Sequence, residues 1–271
     1  MHYNRNMMVS HNKKNSSDHS VKSHSLIRIF AKLAWDTIGL WIVSSLSMFA
    51  EFAILLILLQ VLPGASLLRI AIILVGAMFS IPPLYAGICN AVIKIASGEG
   101  GTIADVFAGF QKYYGPAVRL GVVNGIIGVV LAANIHFYSL WHDKFAHIAL
   151  VICVYVVVIY GFTFAYQMPS LVMQEQGIFD DPDRKARRGA FAAIRRSAYL
   201  ALGNPLQTLY LVIFSFVLVV IGKLIVVIGV LFLPAYLGLA SVLFTRNLLI
   251  KYGILPPYPD IETGDPGLHI N

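Results

Sequence analysis

Residues 206–244, LQTLYLVIFSFVLVVIGKLIVVIGVLFLPAYLGLASVLF, carry a single charged side chain, Lys223, over their whole length. One membrane crossing takes about 20 mainly apolar residues. The run is therefore too long for one transmembrane helix and long enough for two, and it is expected to fold back near Gly229 into spans at about 206–228 and 230–250. The same length rule, carried outward through the chain, cuts four further spans at about 37–62, 70–93, 116–140 and 145–168. The expected fold is an all-α, polytopic transmembrane bundle of six helices occupying residues 26–252. Flanking it are a polar, basic tail (1–25) read as disordered and a Pro/Gly-rich tail (253–271).

Composition supports that reading. The 271 residues are 58% apolar and 12% charged, with a mean hydropathy of +0.76. Ordinary soluble domains carry about 25% charged residues, and a soluble protein of this size would need them to cover its outside. The net charge of +7 would suit nucleic acid, but the placement of Lys and Arg reads as a topology signal instead. The N-terminal segment, residues 94–119, residues 184–196 and the C-terminal end hold six, three, six and two of the twenty, against Arg69, Lys144 and Lys223 on the other side. Basic loops are retained in the cytoplasm, so both termini are expected there, in a plasma membrane. No nucleic-acid partner is implied.

Two amphipathic stretches on the basic side, Thr102 to Tyr114 and Lys185 to Leu202, read as surface helices. Ile103, Val106, Phe107 and Phe110 form the apolar face of the first. In the second, Phe191, Ile194 and Ala198 oppose Arg187, Arg188, Arg195 and Arg196, which are the candidates for contact with anionic lipid headgroups or a partner protein. Trp35 and Trp41 are read as an inner aromatic belt, and Phe137, Tyr138 and Trp141 as the outer one.

Ionisable groups inside the hydrocarbon are costly, which makes them the first candidates for functional residues. Glu51 lies near the middle of the first span and shares a helical face with Ser44 and Ser47; Lys223 lies in the outer part of the fifth. The two are close enough in depth to pair, as a structural clamp or as a gated site. Asn90, Asn124 and Tyr160, with Thr163 and Gln167, would complete a polar path or satisfy one another across helices. Gly121, Gly125 and Gly128 form a small-residue face suited to close helix packing.

Catalytic and metal chemistry find little support. The histidines of the N-terminal tail lack partners in a ligand pattern, and His136, His142, Asp143 and His147 would gather a metal only if both helix ends turned inward. Cys89 and Cys153 both sit in apolar runs and read as packing residues. The glycines at 98, 100 and 101 lack the Lys-Ser/Thr of a phosphate loop, and no hydrolase or metalloprotease spacing occurs. The expectation is a protein that is not an enzyme and holds no cofactor.

At residues 81–125, IPPLYAGICNAVIKIASGEGGTIADVFAGFQKYYGPAVRLGVVNG, the chain resembles the YesL-like family of small bacterial integral membrane proteins. The likeness lies in the order of features: Ile81-Pro82, Ala91 with Lys94, Gly98-Glu99-Gly100, the aromatic helix from Phe107 to Tyr114, and Asn134 to Tyr138. MPSLVMQEQG (168–177), a basic helix and Asn204-Pro205 continue it. The resemblance implies no catalytic residues, because the family has no agreed activity. It implies a bacterial inner-membrane location and an accessory or assembly role in carbohydrate uptake, with sugar ABC-transporter permease subunits as partners. A stand-alone transporter or channel for a small solute is the alternative.

Overall fold

The computed structural model describes residues 23–61, 66–141, 143–179 and 189–256. Among the described residues the chain forms eight α-helices and no strand: α1 (Ser23–Asp36), α2 (Ile38–Val61), α3 (Ser66–Ala96), α4 (Ile103–Ser139), α5 (Lys144–Glu175), α6 (Ala190–Gly203), α7 (Pro205–Leu224) and α8 (Val226–Lys251). Six of them, α2 to α5 with α7 and α8, are long and apolar enough to cross a membrane. The all-α membrane-spanning bundle is thus the observed fold.

Helix α8 is its axis. Every residue from Gly238 to Ile250 is buried, and α8 packs against α1, α2, α3, α5 and α7. The outer helices instead turn Val, Ile and Phe outward, with Ile126, Val129, Ile148 and Ile152 among the many exposed apolar residues. Such a surface is stable only where the surroundings are hydrocarbon.

The structure moves three boundaries. The reversal between the last two spans falls at Ile225, and Gly229 lies inside α8. The reason is packing: a Cβ on Gly222 would lie 3.1 Å from the Gly229 Cα, so two glycines facing each other let α7 and α8 close into a tight hairpin around a single non-helical residue. Next, 102–114 is no separate surface helix. It forms the first turns of α4, 37 residues long and so about 55 Å at 1.5 Å per residue, against a hydrocarbon layer of about 30 Å. The excess runs antiparallel along the end of α3 instead of lying flat. Finally, a helix precedes the first span: Leu26, Ile29, Phe30, Leu33 and Ala34 recur at helical spacing on α1 and are buried, and the Phe30 ring meets those of Phe214 and Tyr236 edge-on at 5.0 and 5.6 Å.

Trp41 is also corrected. It is fully buried, its indole N–H directed to the Leu33 carbonyl at 3.5 Å, so it braces the α1–α2 elbow and belongs to no aromatic belt. Trp35 and Trp141 are exposed as expected.

Candidate functional site

Two features stand out, a cavity among the spans and a polar layer at the bundle end that carries the basic residues. The cavity, of about 670 Å³, is lined from all six spans, including Met48 of α2, Met78 of α3, Asn124 of α4, Met168 of α5, Ser215 of α7 and Pro234 of α8. Prolines inside helices give it shape. Pro82 and Pro234 both stand on its wall, where each lacks the N–H that would continue its helix. Beside Pro234, the Ala235 N–H is directed across to the Ser45 hydroxyl of α2 at 3.3 Å, which ties that turn of α8 to a neighbouring helix.

Few polar groups face the cavity, and most are already engaged. The Tyr85 and Ser241 hydroxyls bond each other at 3.1 Å, and Asn124 accepts from the Tyr160 hydroxyl. None of the lining residues is charged.

The polar layer joins five helices. Thr102 caps α4: its hydroxyl accepts from the Asp105 N–H at 3.3 Å while the Asp105 carboxylate accepts from the Thr102 N–H at 2.8 Å. That reciprocal arrangement satisfies two otherwise unpaired donors. Asp105 also accepts from Lys94 Nζ at 2.5 Å, a direct bond from the end of α3 to the start of α4. Asn90 of α3, buried, donates to the Asp105 carbonyl at 2.9 Å and accepts from Gln176 at 3.1 Å. Arg196 of α6 donates to Gln174 of α5 at 2.7 Å and lies over the Phe179 ring. Arg246 of α8 donates to Ser97 at 2.7 Å.

The expected site residues therefore divide. Asn124 and Tyr160 do meet, and Asn124 faces the cavity; Asn90 belongs to the polar layer, so no single path connects them. Among the described residues no hydrogen bond or ion pair joins Glu51 to Lys223. Glu51 is half-buried at the edge of the packed face of α2, and Lys223 is exposed in the last turn of α7, a helix that does not pack broadly on α2. Gly121 and Gly125 pack tightly, against Pro82 and Met78. Gly128 does not: a Cβ there would meet nothing within 4 Å, so the small-residue seam ends at Gly125. Arg195 is exposed and stacked over Tyr199, whereas Arg196 turns inward; Arg187 and Arg188 lie outside the described residues.

Near the other end, the Asp143 carboxylate caps α5 by accepting from the Phe145 N–H at 3.0 Å. The His147 ring nitrogen lies 2.8 Å from the Asp143 carbonyl. His142 is outside the described residues. Sequence reasoning missed the three methionines of the cavity wall and the Gln174, Gln176 and Ser97 contacts. Their one advance signal was proline within apolar spans, since irregular backbone at membrane depth is tolerated where it is buried in protein or lines a cavity.

Fold and sites together define a six-span α-helical membrane protein with an open apolar cavity among its spans and a cross-linked polar end. No family model matches the chain, and neither does any curated protein or solved structure.

Proposed function

We infer that the protein is a non-enzymatic membrane component that acts through contact with other membrane constituents and does not carry a hydrophilic solute itself. The carrying observation is the cavity wall: no charged residue lines it, and the Tyr85, Ser241 and Asn124 side chains are engaged within the protein. A sugar entering it would leave most of its hydroxyls without partners, at about 1–3 kcal/mol for each buried unpaired group. This favours the accessory reading over the stand-alone carrier.

The basic end is the proposed contact surface, facing the cytoplasm of a bacterial inner membrane with both termini on that side. The excess of Lys and Arg there supports the orientation. On α6, Phe191, Tyr199 and Leu202 are exposed around Arg195, a face suited to anionic headgroups or to a partner's helix. The link to carbohydrate uptake, and to sugar-permease subunits as that partner, rests on the likeness to the YesL-like family at 81–125.

Affinity purification in mild detergent from cells grown on polysaccharide, followed by mass spectrometry, tests this reading. A permease subunit in near-stoichiometric yield is the expected result. Recovery of the chain alone, together with sugar flux into liposomes containing only this protein, would overturn it.

A further inference from the structure

The cavity poses a separate question, since it is an apolar hollow open between the membrane-crossing helices. At about 670 Å³ it falls within the roughly 300–1,000 Å³ range of ligand sites. We propose that it is a binding site for one hydrocarbon chain of a bilayer lipid, taken up sideways from the membrane between the spans.

The occupant follows from where the cavity lies and what walls it. Its lining comes from the six membrane-crossing helices, so the medium at its mouth is lipid hydrocarbon. Leu74 and Phe164 on the wall are each about half exposed, 47% and 57%, so the wall is not sealed at these side chains. A hydrocarbon chain entering there gives up no hydrogen bonds and gains dispersion contacts that an empty space cannot provide. Met48, Met78 and Met168 suit such a guest, being flexible, polarizable side chains that adapt to irregular apolar shapes. Tyr85 and Ser241 on the wall bond each other and Asn124 is bonded to Tyr160, so the wall offers little to a headgroup, which would stay at the membrane surface. The site stands independently of the accessory reading.

Gly161 supplies the test. It lies on the cavity wall, and a Cβ there would meet nothing within 4 Å, so a larger side chain starts from this position without a clash at its first atom, and Gly161→Phe is expected to occupy the space. The full-length protein is reconstituted in phosphatidylcholine vesicles doped with a phosphatidylcholine bearing a diazirine midway along one acyl chain, then irradiated and mapped by mass spectrometry. Crosslinks at Met78 and Met168 are expected in the wild type, alongside crosslinks at lipid-facing Val130, which serve as the reference. Gly161→Phe should abolish the first set and spare the second, whereas Gly128→Phe, open on its own face, should change neither. Wall crosslinks undiminished by Gly161→Phe, or Val130 crosslinks with none at the wall, overturn the proposal. Should Gly161→Phe not reconstitute, native mass spectrometry of the wild type decides: retention of one phospholipid through a delipidating detergent wash supports the site, and a lipid-free chain overturns it.

Discussion

Gly121 and Pro82 are in direct contact across α3 and α4: a Cβ on Gly121 would lie 2.6 Å from Pro82 Cγ and 3.1 Å from the Met78 carbonyl oxygen. That carbonyl is the one Pro82, lacking an N–H, leaves without its helical partner. The glycine thus lets α4 approach α3 where the α3 backbone is least regular. Gly121→Val forces a rigid, branched side chain into that contact, and a loss of about 2 kcal/mol is expected. Gly128→Val meets open space and should stay within about 0.5 kcal/mol. Unfolding in mixed micelles, compared for the two variants, checks the contrast; equal losses would show that the seam does not depend on Gly121.

The Lys94–Asp105 bond acts with the Thr102 cap, and the two contributions are separable. Asp105→Ala removes the ion pair and the carboxylate's half of the capping box, leaving the Thr102 hydroxyl on the backbone N–H of residue 105, and should lower stability by about 1–2 kcal/mol. Lys94→Ala removes only the ion pair. The Lys94 side chain is 38% exposed, so solvent screens the pair and the expected loss is smaller than that of Asp105→Ala. A double-mutant cycle measures the coupling directly; a large coupling energy would mean the pair is drier than its exposure indicates.

How far the sequence reached depended on the range of the signal. Apolar runs such as 206–244 report the solvent along the whole helix, and they yielded six spans. The position of the hairpin did not follow from Gly229 as a turn former, because its glycine freedom serves contact with Gly222 and the chain reverses four residues earlier. Asn90 and Asn124 read alike as polar residues in apolar spans. Only the three-dimensional arrangement separates them, sending one to Asp105 and Gln176 and the other to the cavity and Tyr160. The α1 periodicity of Leu26, Ile29, Phe30 and Leu33 was readable but lay before the first span, where a length rule does not look. The methionine wall had no local pattern at all, being assembled from helices far apart in sequence.

Glu51 gives a prediction of opposite sign. It is half-buried at membrane depth and is not bonded to Lys223, so its placement in hydrocarbon is not offset by that ion pair. A residue of this kind is disfavoured by about 2.5–3.5 kcal/mol at a helix centre on insertion scales. Glu51→Leu is therefore expected to raise stability, by about 1 kcal/mol after allowance for its partial exposure. Thermal unfolding in micelles reads the shift. A destabilised Glu51→Leu would reveal that the carboxylate is held by a partner and would return it to consideration as a functional site.

Asn204, at the α6–α7 elbow, fastens the end of α8. Its Oδ1 accepts from Lys251 Nζ at 2.8 Å, while its Nδ2 donates to the Tyr252 hydroxyl at 2.6 Å and to the Leu200 carbonyl at 3.2 Å. Asn204 is itself 5% exposed, so its amide makes these bonds with little competition from water, and removing it releases Lys251 and Tyr252 together. Asn204→Ala should lose about 2–3 kcal/mol. Tyr252→Phe deletes only one of these bonds, at a side chain 49% exposed, and leaves the amide its other partners. The expected loss is about 0.5–1 kcal/mol. Limited proteolysis near the C-terminal end, run beside the unfolding measurements, reads the local effect. Accelerated cleavage in Asn204→Ala but not in Tyr252→Phe identifies the amide as the fastening, whereas equal acceleration in both would assign that role to the tyrosine hydroxyl.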